Sequence, residues 1–252
     1  MVRRAGPLAA PGEGRGVEAD TDMDDTGTGC TSVTVHYAQT LDGRIATRTG
    51  HSQWISCGES LRLQHELRAS HDAVLVGVDT AVADNPRLTV RLVEGRSPLR
   101  IVVDSTLRIP LDRHLFVDRA APTLVATTAR APAERARAIA ALGAEVLIVP
   151  EDATGRVDLG ALLQMLRPRG VRTVMVEGGG TVITSLLRDR LVERMIVCIA
   201  PKLVGEGVDA VNDLNILRMG EALTFTDIEF DRLGDDLIFK GRLAPPARPT
   251  HP

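Results

Sequence analysis

Val174-Met175-Val176-Glu177-Gly178-Gly179-Gly180-Thr181 is the stretch that decides the fold of this chain. It predicts a buried strand at 173–176 that ends in a carboxylate, turns through three glycines and opens a helix at about 182–187. Glycine amides at a helix N-terminus point outward and carry partial positive charge, so the turn predicts a cradle for a phosphate. A tight strand–helix turn without a ligand explains the same residues, and both interpretations stay open at this point.

The composition excludes several classes of protein. Hydrophobic residues make up 44% of the 252 residues and aromatic residues only 2%, so an aliphatic core and α/β layers are expected rather than an aromatic-rich β-sandwich. A net charge of −3 and the scarcity of aromatic rings argue against a general affinity for nucleic acid. Almost all basic residues are Arg, a side chain suited to binding phosphate through two parallel hydrogen bonds.

Cysteine usage and hydropathy predict a cytoplasmic protein. The three cysteines form no C-x-x-C pair and no cluster with metal spacing, so no metal site is expected; they are Cys30, Cys57 and Cys198. No apolar run has the length of a membrane-spanning helix, and the N-terminus lacks the apolar region of a signal peptide. We therefore expect no membrane partner.

Apolar patterns along the chain predict alternating strands and helices. The fold class we predict is α/β: a mostly parallel sheet flanked by helices on both faces, with a C-terminal antiparallel hairpin. One folded domain is expected at 31–243, between disordered tails at 1–30 and 244–252. Strands are predicted at 32–38, 73–77, 99–104, 123–127, 145–149, 173–176, 193–200, 224–231 and 236–243. Further helices are predicted at 59–70, 132–142 and 159–166.

Three other motifs contain residue types that bind ligands. An Asp42-Gly43 turn follows the first strand, which an ordinary β-turn explains equally well. Trp54 is the only tryptophan and lies in the polar stretch 50–56, where its flat ring could form one wall of a pocket. Three arginines cluster near polar turns, as binding of a phosphate monoester requires, although a helix end or a solvated strand face also explains them: Arg68, Arg87 and Arg91.

Motifs of hydrolase nucleophile elbows, P-loops and zinc deaminases are absent. Residues 32–243 contain instead an ordered series of motifs: Thr40-Leu41-Asp42-Gly43-Arg44, Ser52-Gln53-Trp54-Ile55, Leu67-Arg68-Ala69, Val76-Gly77 with Thr80, Asp84-Asn85-Pro86 with Leu88-Thr89-Val90-Arg91, Pro98-Leu99-Arg100-Ile101-Val102-Val103-Asp104, Val176-Glu177-Gly178-Gly179 and Ile199-Ala200-Pro201-Lys202-Leu203-Val204-Gly205. By this series the chain resembles the reductase of riboflavin biosynthesis, which occurs as the C-terminal domain of bifunctional deaminase-reductases and as a stand-alone enzyme.

The resemblance implies a fold similar to dihydrofolate reductase, usually as a homodimer. It implies that NADPH reduces the ribosyl group of a 5-amino-6-(5-phosphoribosylamino)uracil-type pyrimidine to a ribityl group. Cofactor contacts are implied at Ala38, Trp54, Thr80, Asp84, Ser105, Gly179, Gly180, Thr181, Val182, Ile183, Thr184 and Ser185. Substrate contacts are implied at Ser52, Arg68, Leu88, Arg91 and Glu177.

The implied chemistry needs few catalytic groups. With its sugar ring opened, the substrate is an imine that accepts hydride directly at C1′, so the protein must orient two molecules and allow a proton to reach the nitrogen. Asp42 and Glu177 are the candidate catalytic carboxylates, and water is the alternative. The 2′-phosphate of NADPH is expected at an Arg, Ser or Thr within 105–108 or 127–130.

Other interpretations stay open. The same arginines and glycine turn suit a reductase of a related pterin or pyrimidine in a specialised pathway, a phosphosugar-binding transferase, or a non-catalytic nucleotide-binding module. Only residues 1–30 precede the match, so we expect no deaminase half. The pyrimidine is then either the deaminated uracil or the diamino compound.

Overall fold

The computed structural model describes residues 31–246, which form one nine-stranded sheet and one two-stranded sheet. The predicted tail at 1–30, which includes Cys30, and residues 247–252 of the tail predicted at 244–252 lie outside the described residues. The strands are β1 (Ser32–Thr40), β2 (Arg44–Thr47), β3 (Ala73–Gly77), β4 (Leu99–Val103), β5 (Thr123–Thr127), β6 (Glu145–Ile148), β7 (Thr173–Gly178), β8 (Arg194–Ala200), β9 (Gly207–Asp209), β10 (Phe225–Leu233) and β11 (Asp236–Leu243).

The helices of the same region lie mainly in the connections between parallel strands, as crossover geometry requires. They are α1 (Gly58–Ser70), α2 (Val78–Ala83), α3 (His114–Val117), α4 (Ala133–Ala141), α5 (Leu159–Leu166) and α6 (Gly180–Arg188). Within residues 31–246 no helix combines the length and the apolar composition that crossing a membrane requires.

The strand order of the large sheet confirms the predicted fold class. The order is β10-β11-β8-β1-β7-β3-β4-β5-β6, and all pairs from β8 to β6 are parallel. β11 runs antiparallel to both β8 and β10, which makes the C-terminal hairpin the antiparallel edge of the sheet.

Helices cover both faces of this sheet. On one face α5 and α6 bury Leu162 and Ile183 completely. On the other face α1 and α4 bury Leu67 and Ile139. Because both faces are covered, every residue of β3 and of β5 is buried, which explains why these strands are apolar throughout.

The main differences between the structure and the predicted elements are the following. α2 begins directly after β3 and has only six residues, too few for a helical period to show in the sequence. β2 and β9 pair only with each other. β7 continues beyond Val176 through Glu177, because Gly178 still pairs with Val76 of β3. The segment that contains Arg87 and Arg91 is irregular rather than a strand.

Candidate functional site

The carboxyl ends of four neighbouring parallel strands open into one large cavity. β1, β7, β3 and β4 lie side by side, and residues at or near their ends line the cavity: Ala38, Gly178, Gly77 and Asp104. Its volume is about 1200 Å³, whereas pockets for one small ligand have roughly 300–1000 Å³. Ligands of open α/β sheets bind at this edge, and the volume is sufficient for two molecules.

The glycine turn between β7 and α6 forms one wall of the cavity. Gly179 has a φ of 89°, a left-handed conformation that favours glycine. α6 begins at Gly180, and the N–H groups of a first helical turn have no partners within the helix. Gly77 allows the helix to approach β3, since a Cβ there would stand 3.0 Å from Cγ2 of Val182. These outward amides fit the phosphate groups of a nucleotide.

Glu177 forms a buried ion pair with Arg68 of α1. Nε and Nη2 of Arg68 donate to the two carboxylate oxygens at 2.5 and 2.6 Å, and the side chains are only 6% and 4% exposed. Gln64 also donates to Glu177, at 2.9 Å, and Nη1 of Arg68 donates to the carbonyl of Thr89 at 3.0 Å. Burial alone lowers the pKa of Arg68, but the Glu177 carboxylate outweighs burial and the pKa is raised.

This pair changes the role expected for Arg68. Every guanidinium nitrogen of Arg68 has a partner inside the protein, and Arg68 does not line the cavity, so the geometry disfavours its predicted contact with a substrate phosphate. Glu177 does line the cavity. A carboxylate offers about four lone-pair sites, and three protein donors leave about one of them for a ligand.

Arg91 is the predicted arginine that reaches the cavity. Its Nη1 donates to the carbonyl and the hydroxyl of Thr89 at 3.2 and 2.8 Å, and its backbone N–H donates to Nδ1 of His65 at 2.8 Å. Burial, and then the positive charges of Arg68 and Arg87, lower the pKa of Arg91. An arginine that is held among other arginines at a cavity wall suits an anionic ligand.

Asp42 is not among the residues that line the cavity, and its role as a proton donor stays a prediction. Its carboxylate accepts hydrogen bonds from the Thr40 hydroxyl at 2.6 Å and from the backbone N–H groups of Gly205 and Val204 at 2.7 and 3.2 Å. These contacts, the Thr40 hydroxyl first, lower the pKa of Asp42 to about 2. Asp42 is therefore ionised at neutral pH, and it fixes the segment after β8 to the end of β1.

Most other predicted site residues lie at the cavity. Two do not: Leu88 is buried in the core at 1% exposure, and Thr184 donates its hydroxyl to the carbonyl of Gly180 at 2.6 Å. Those that line the cavity are Ala38, Ser52, Trp54, Thr80, Asp84, Ser105, Gly179, Gly180, Thr181, Val182, Ile183 and Ser185. Lining the cavity does not by itself show that a residue contacts a ligand, so the individual roles of these residues stay predictions.

The parts of the cavity wall that sequence reasoning missed include Gln64 on α1 and the loop at 152–157. Within this loop Asp152 accepts a hydrogen bond from the N–H of Thr154 at 2.8 Å, which is a turn signal visible in the sequence. The hydroxyl of Ser105 accepts a hydrogen bond from the backbone of the same loop at 3.1 Å. That contact spans 52 positions, so no local pattern reveals it.

His36 lies beside the site and gives the stability a pH dependence. It is 3% exposed, and its Nδ1 lies 3.0 Å from the carbonyl of Ile196, so Nδ1 carries the hydrogen. Burial lowers the pKa of His36 to about 4, although Glu177 opposes the shift. The unfolded chain takes up this proton at about pH 6.5, so the free energy of unfolding should fall by about 1.4 kcal/mol per pH unit per such histidine between about 6.5 and 4.

The measurement is a series of urea titrations from pH 7 to about 4.5 on the wild type and on His36→Asn, which keeps a donor near the carbonyl of Ile196. The variant should show a shallower slope of unfolding free energy against pH. Burial likewise lowers the pKa of His65 to about 4. The variant should therefore keep part of the dependence of its unfolding free energy on pH. Equal slopes for the two proteins would contradict the assignment to His36.

Comparison with known proteins places this geometry in a family. The family model of the RibD C-terminal domain matches residues 31–239. The chain is 41% identical over 219 residues to the 2,5-diamino-6-ribosylamino-4(3H)-pyrimidinone 5′-phosphate reductase of Methanothermobacter thermautotrophicus, covering 82% of this chain and 95% of that protein. It is 39% identical over 207 residues to the riboflavin biosynthesis protein RibD of Aquifex aeolicus, where the match covers 82% of this chain and 56% of RibD.

A solved structure agrees with the sequence comparison. The RibD of Acinetobacter baumannii superposes with a TM-score of 0.75 at 27% identity, over 86% of this chain and 59% of that one. The chain thus spans little more than half of these RibD proteins and nearly all of the archaeal reductase. By the extent of the family match and by these identities, the chain belongs to the RibD C-terminal domain family.

Proposed function

We propose that this protein uses NADPH to reduce the ribosyl group of a phosphorylated ribosylamino-pyrimidine to a ribityl group. The observation that carries the proposal is that one cavity contains both the glycine turn, which suits a nucleotide phosphate, and the wall of Glu177 and Arg91, which suits an anionic substrate with hydrogen-bond donors. Hydride transfer needs two molecules held side by side away from water. Two relatives of this chain are named as reductases of such a pyrimidine, which supports the same reaction.

The cofactor fits the wall built by α6. NADPH supplies the hydride when bound. The outward amides at the start of α6 would hold its diphosphate, and the missing side chain of Gly179 lets the backbone come close. Other residues that would hold the cofactor also line the cavity: Ala38, Trp54, Thr80, Asp84 and Ser105.

Arginines on the β4–β6 side of the cavity favour NADPH over NADH. Arg108 and Arg130 line the cavity and lie in the two segments predicted for the 2′-phosphate. Carboxylates orient both side chains, since Arg108 donates to Asp79 at 2.5 Å and Arg130 donates to Glu151 at 2.8 Å. Arg156 of the loop at 152–157 lines the same side. Oriented guanidinium groups are suited to an additional phosphate.

The substrate is assigned to the wall of Glu177 and Arg91. Arg91 would bind its phosphate, and the Ser52 hydroxyl, which also lines the cavity, would assist. Glu177 would accept one hydrogen bond from the pyrimidine or from the opened sugar, because Arg68 and Gln64 already hold the carboxylate in place. A fixed carboxylate orients the substrate without losing rotamer entropy on binding.

Replacing Arg91 with Ala should weaken substrate binding and leave the cofactor site intact. A charge-assisted hydrogen bond is worth about 1.5–3 kcal/mol, so the KM for the pyrimidine should rise at least about tenfold. Steady-state kinetics give this KM, and calorimetry gives the NADPH affinity. Arg87→Ala is the matched control, since Arg87 pairs with Asp118 at 2.6 Å outside the cavity. Lost NADPH affinity with an unchanged KM would show that the two halves of the cavity are assigned the wrong way round.

The experiment that tests the function follows the nicotinamide absorbance band. The protein is supplied with NADPH or NADH, and with either the diamino-pyrimidinone or the uracil form of the ribosylamino 5′-phosphate. We expect pyrimidine-dependent oxidation of NADPH with a ribityl product, and a lower kcat/KM with NADH. No oxidation with either pyrimidine would reject the proposed reaction. Equal kcat/KM values for the two cofactors would reject the preference for NADPH.

We propose that the protein forms a homodimer through its terminal hairpin. β10 is an edge strand of the large sheet, and the hairpin exposes Ile228, Phe230 and Leu237 by 52, 62 and 44%. An exposed apolar edge strand is a template for pairing with another chain. Sedimentation analysis should give the mass of a dimer, and Phe230→Glu should shift it to the monomer. A monomeric wild type at micromolar concentration would reject this interface.

We also infer that the protein works in the cytoplasm. Cys57 and Cys198 are both free among the described residues, which suits a reducing compartment. Cell fractionation with an antibody against the chain tests this location.

A further inference from the structure

Lys202 links the loop that carries Trp54 to the segment after β8. The Trp54 loop comprises residues 50–56. Nζ of Lys202 donates to the carbonyl oxygens of Trp54 and Ile55 at 2.5 and 2.8 Å. Hydrogen bonds from a charged donor are stronger than those between neutral groups. Within residues 31–246 Lys202 forms no ion pair, so its ammonium group is bound by these two carbonyl oxygens.

The contacts of Lys202 lie where the backbone is strained. Trp54 has a φ of 64°, a left-handed conformation that is unfavourable for a bulky side chain. Trp54 lines the cavity but is 75% exposed, so little packing holds this conformation. The other end of the loop is attached to α2, where the Ser52 hydroxyl donates to the Asp84 carboxylate at 2.8 Å.

The backbone of Lys202 is itself fixed to the large sheet. Its carbonyl accepts a hydrogen bond from the N–H of Leu41 at 2.8 Å, at the end of β1. Three residues further on, the N–H of Gly205 donates to Asp42 at 2.7 Å. Lys202 therefore extends from a well-anchored base to the strained part of the Trp54 loop.

We propose that Lys202 is a positioning residue that fixes Trp54 as a wall for the cofactor. The inference rests on the proposed function, because that function assigns NADPH to the cavity. Lys202 does not line the cavity, so it acts through the backbone of Trp54 and Ile55. Without it the Trp54 loop spreads over several conformations, and the apparent affinity for NADPH falls in proportion to the lost population of the binding conformation.

Lys202→Met tests this role because it keeps the length of the side chain and removes the donors. Trp54 is the only tryptophan, so its fluorescence anisotropy decay reports on the loop alone, with no cofactor present. We expect faster local motion of Trp54 in the variant and a roughly tenfold higher dissociation constant for NADPH by calorimetry. Circular dichroism checks that the variant is folded. Lys202→Arg should restore both values, because Arg also donates to two carbonyls.

Lys240→Met is the matched control, since Lys240 is the other lysine of the chain and pairs with Asp231 on the hairpin at 2.8 Å. It should change neither value. Unchanged Trp54 motion in Lys202→Met overturns the proposal, and so does increased motion with an unchanged NADPH affinity. If the wild type binds no NADPH, the proposed function fails, whereas increased Trp54 motion in the variant still supports the role of Lys202 in holding the loop.

Discussion

Replacing Glu177 with Gln is expected to lower both the stability and the turnover of the protein. The amide cannot accept both hydrogen bonds from Arg68, whose side chain is 6% exposed, so the variant contains a buried cation without a carboxylate. Removing one partner of a buried pair costs about 3–5 kcal/mol, and the free energy of unfolding from urea titrations should fall by that amount. Turnover with the pyrimidine should fall on the order of 10²-fold if Glu177 also takes part in proton transfer at the substrate.

A double variant separates the two effects. Arg68→Met combined with Glu177→Leu removes both charges and keeps apolar side chains of similar volume, a replacement that is often neutral or stabilising for a buried pair. We expect its unfolding free energy to return close to the wild-type value while turnover stays low. Near-normal turnover of Glu177→Gln, measured where the variant is folded, would limit Glu177 to a structural role. An unchanged unfolding free energy would contradict the buried pair itself.

The inner strands could be predicted from the sequence because burial on both faces leaves them apolar throughout. β3 and β5 have the predicted bounds for this reason. β11 and α5 also have the predicted bounds, although polar residues occur within β11. The apolar pattern predicts an end of β7 that is too early, because Glu177 resembles the first polar residue after a strand. In the structure Arg68 compensates its charge, and the strand continues to Gly178. A charged residue inside a strand can be predicted only when its partner is known.

The partners at the site could not be predicted, because they are distant in sequence. Arg68 and Glu177 are 109 positions apart, and Arg68 lies in the last turn of α1, where a cation is favourable for local reasons. Similarly, the Asp42-Gly43 turn is visible in the sequence, but the contact of Asp42 with Gly205 spans 163 positions. The glycine turn was predictable since all its parts are local: strand, carboxylate, glycines and helix.

Replacing Gly179 with Val is expected to cause the largest loss of NADPH affinity. A Cβ at Gly179 would meet Oγ1 of Thr80 at 3.4 Å, an acceptable contact. The two methyl groups of Val add bulk at the turn, and we expect them to hinder the close approach of a phosphate to its backbone amides. Each charge-assisted hydrogen bond that a phosphate loses costs about 1.5–3 kcal/mol, so the dissociation constant measured by calorimetry should rise roughly 10- to 100-fold for one such bond.

Backbone strain must be separated from blocked access, because Gly179 has a φ of 89° and any side chain at that angle is unfavourable. Gly143 is the matched control: its φ is 86°, and an added Cβ would have no atom within 4 Å. Gly143→Val imposes similar strain, about 1–3 kcal/mol, at a position outside the cavity. It should therefore lose stability but keep its affinity for NADPH. If a folded Gly179→Val protein bound NADPH as tightly as Gly143→Val does, the glycine turn would not be the phosphate cradle, and the cofactor would have to bind along another wall of the cavity.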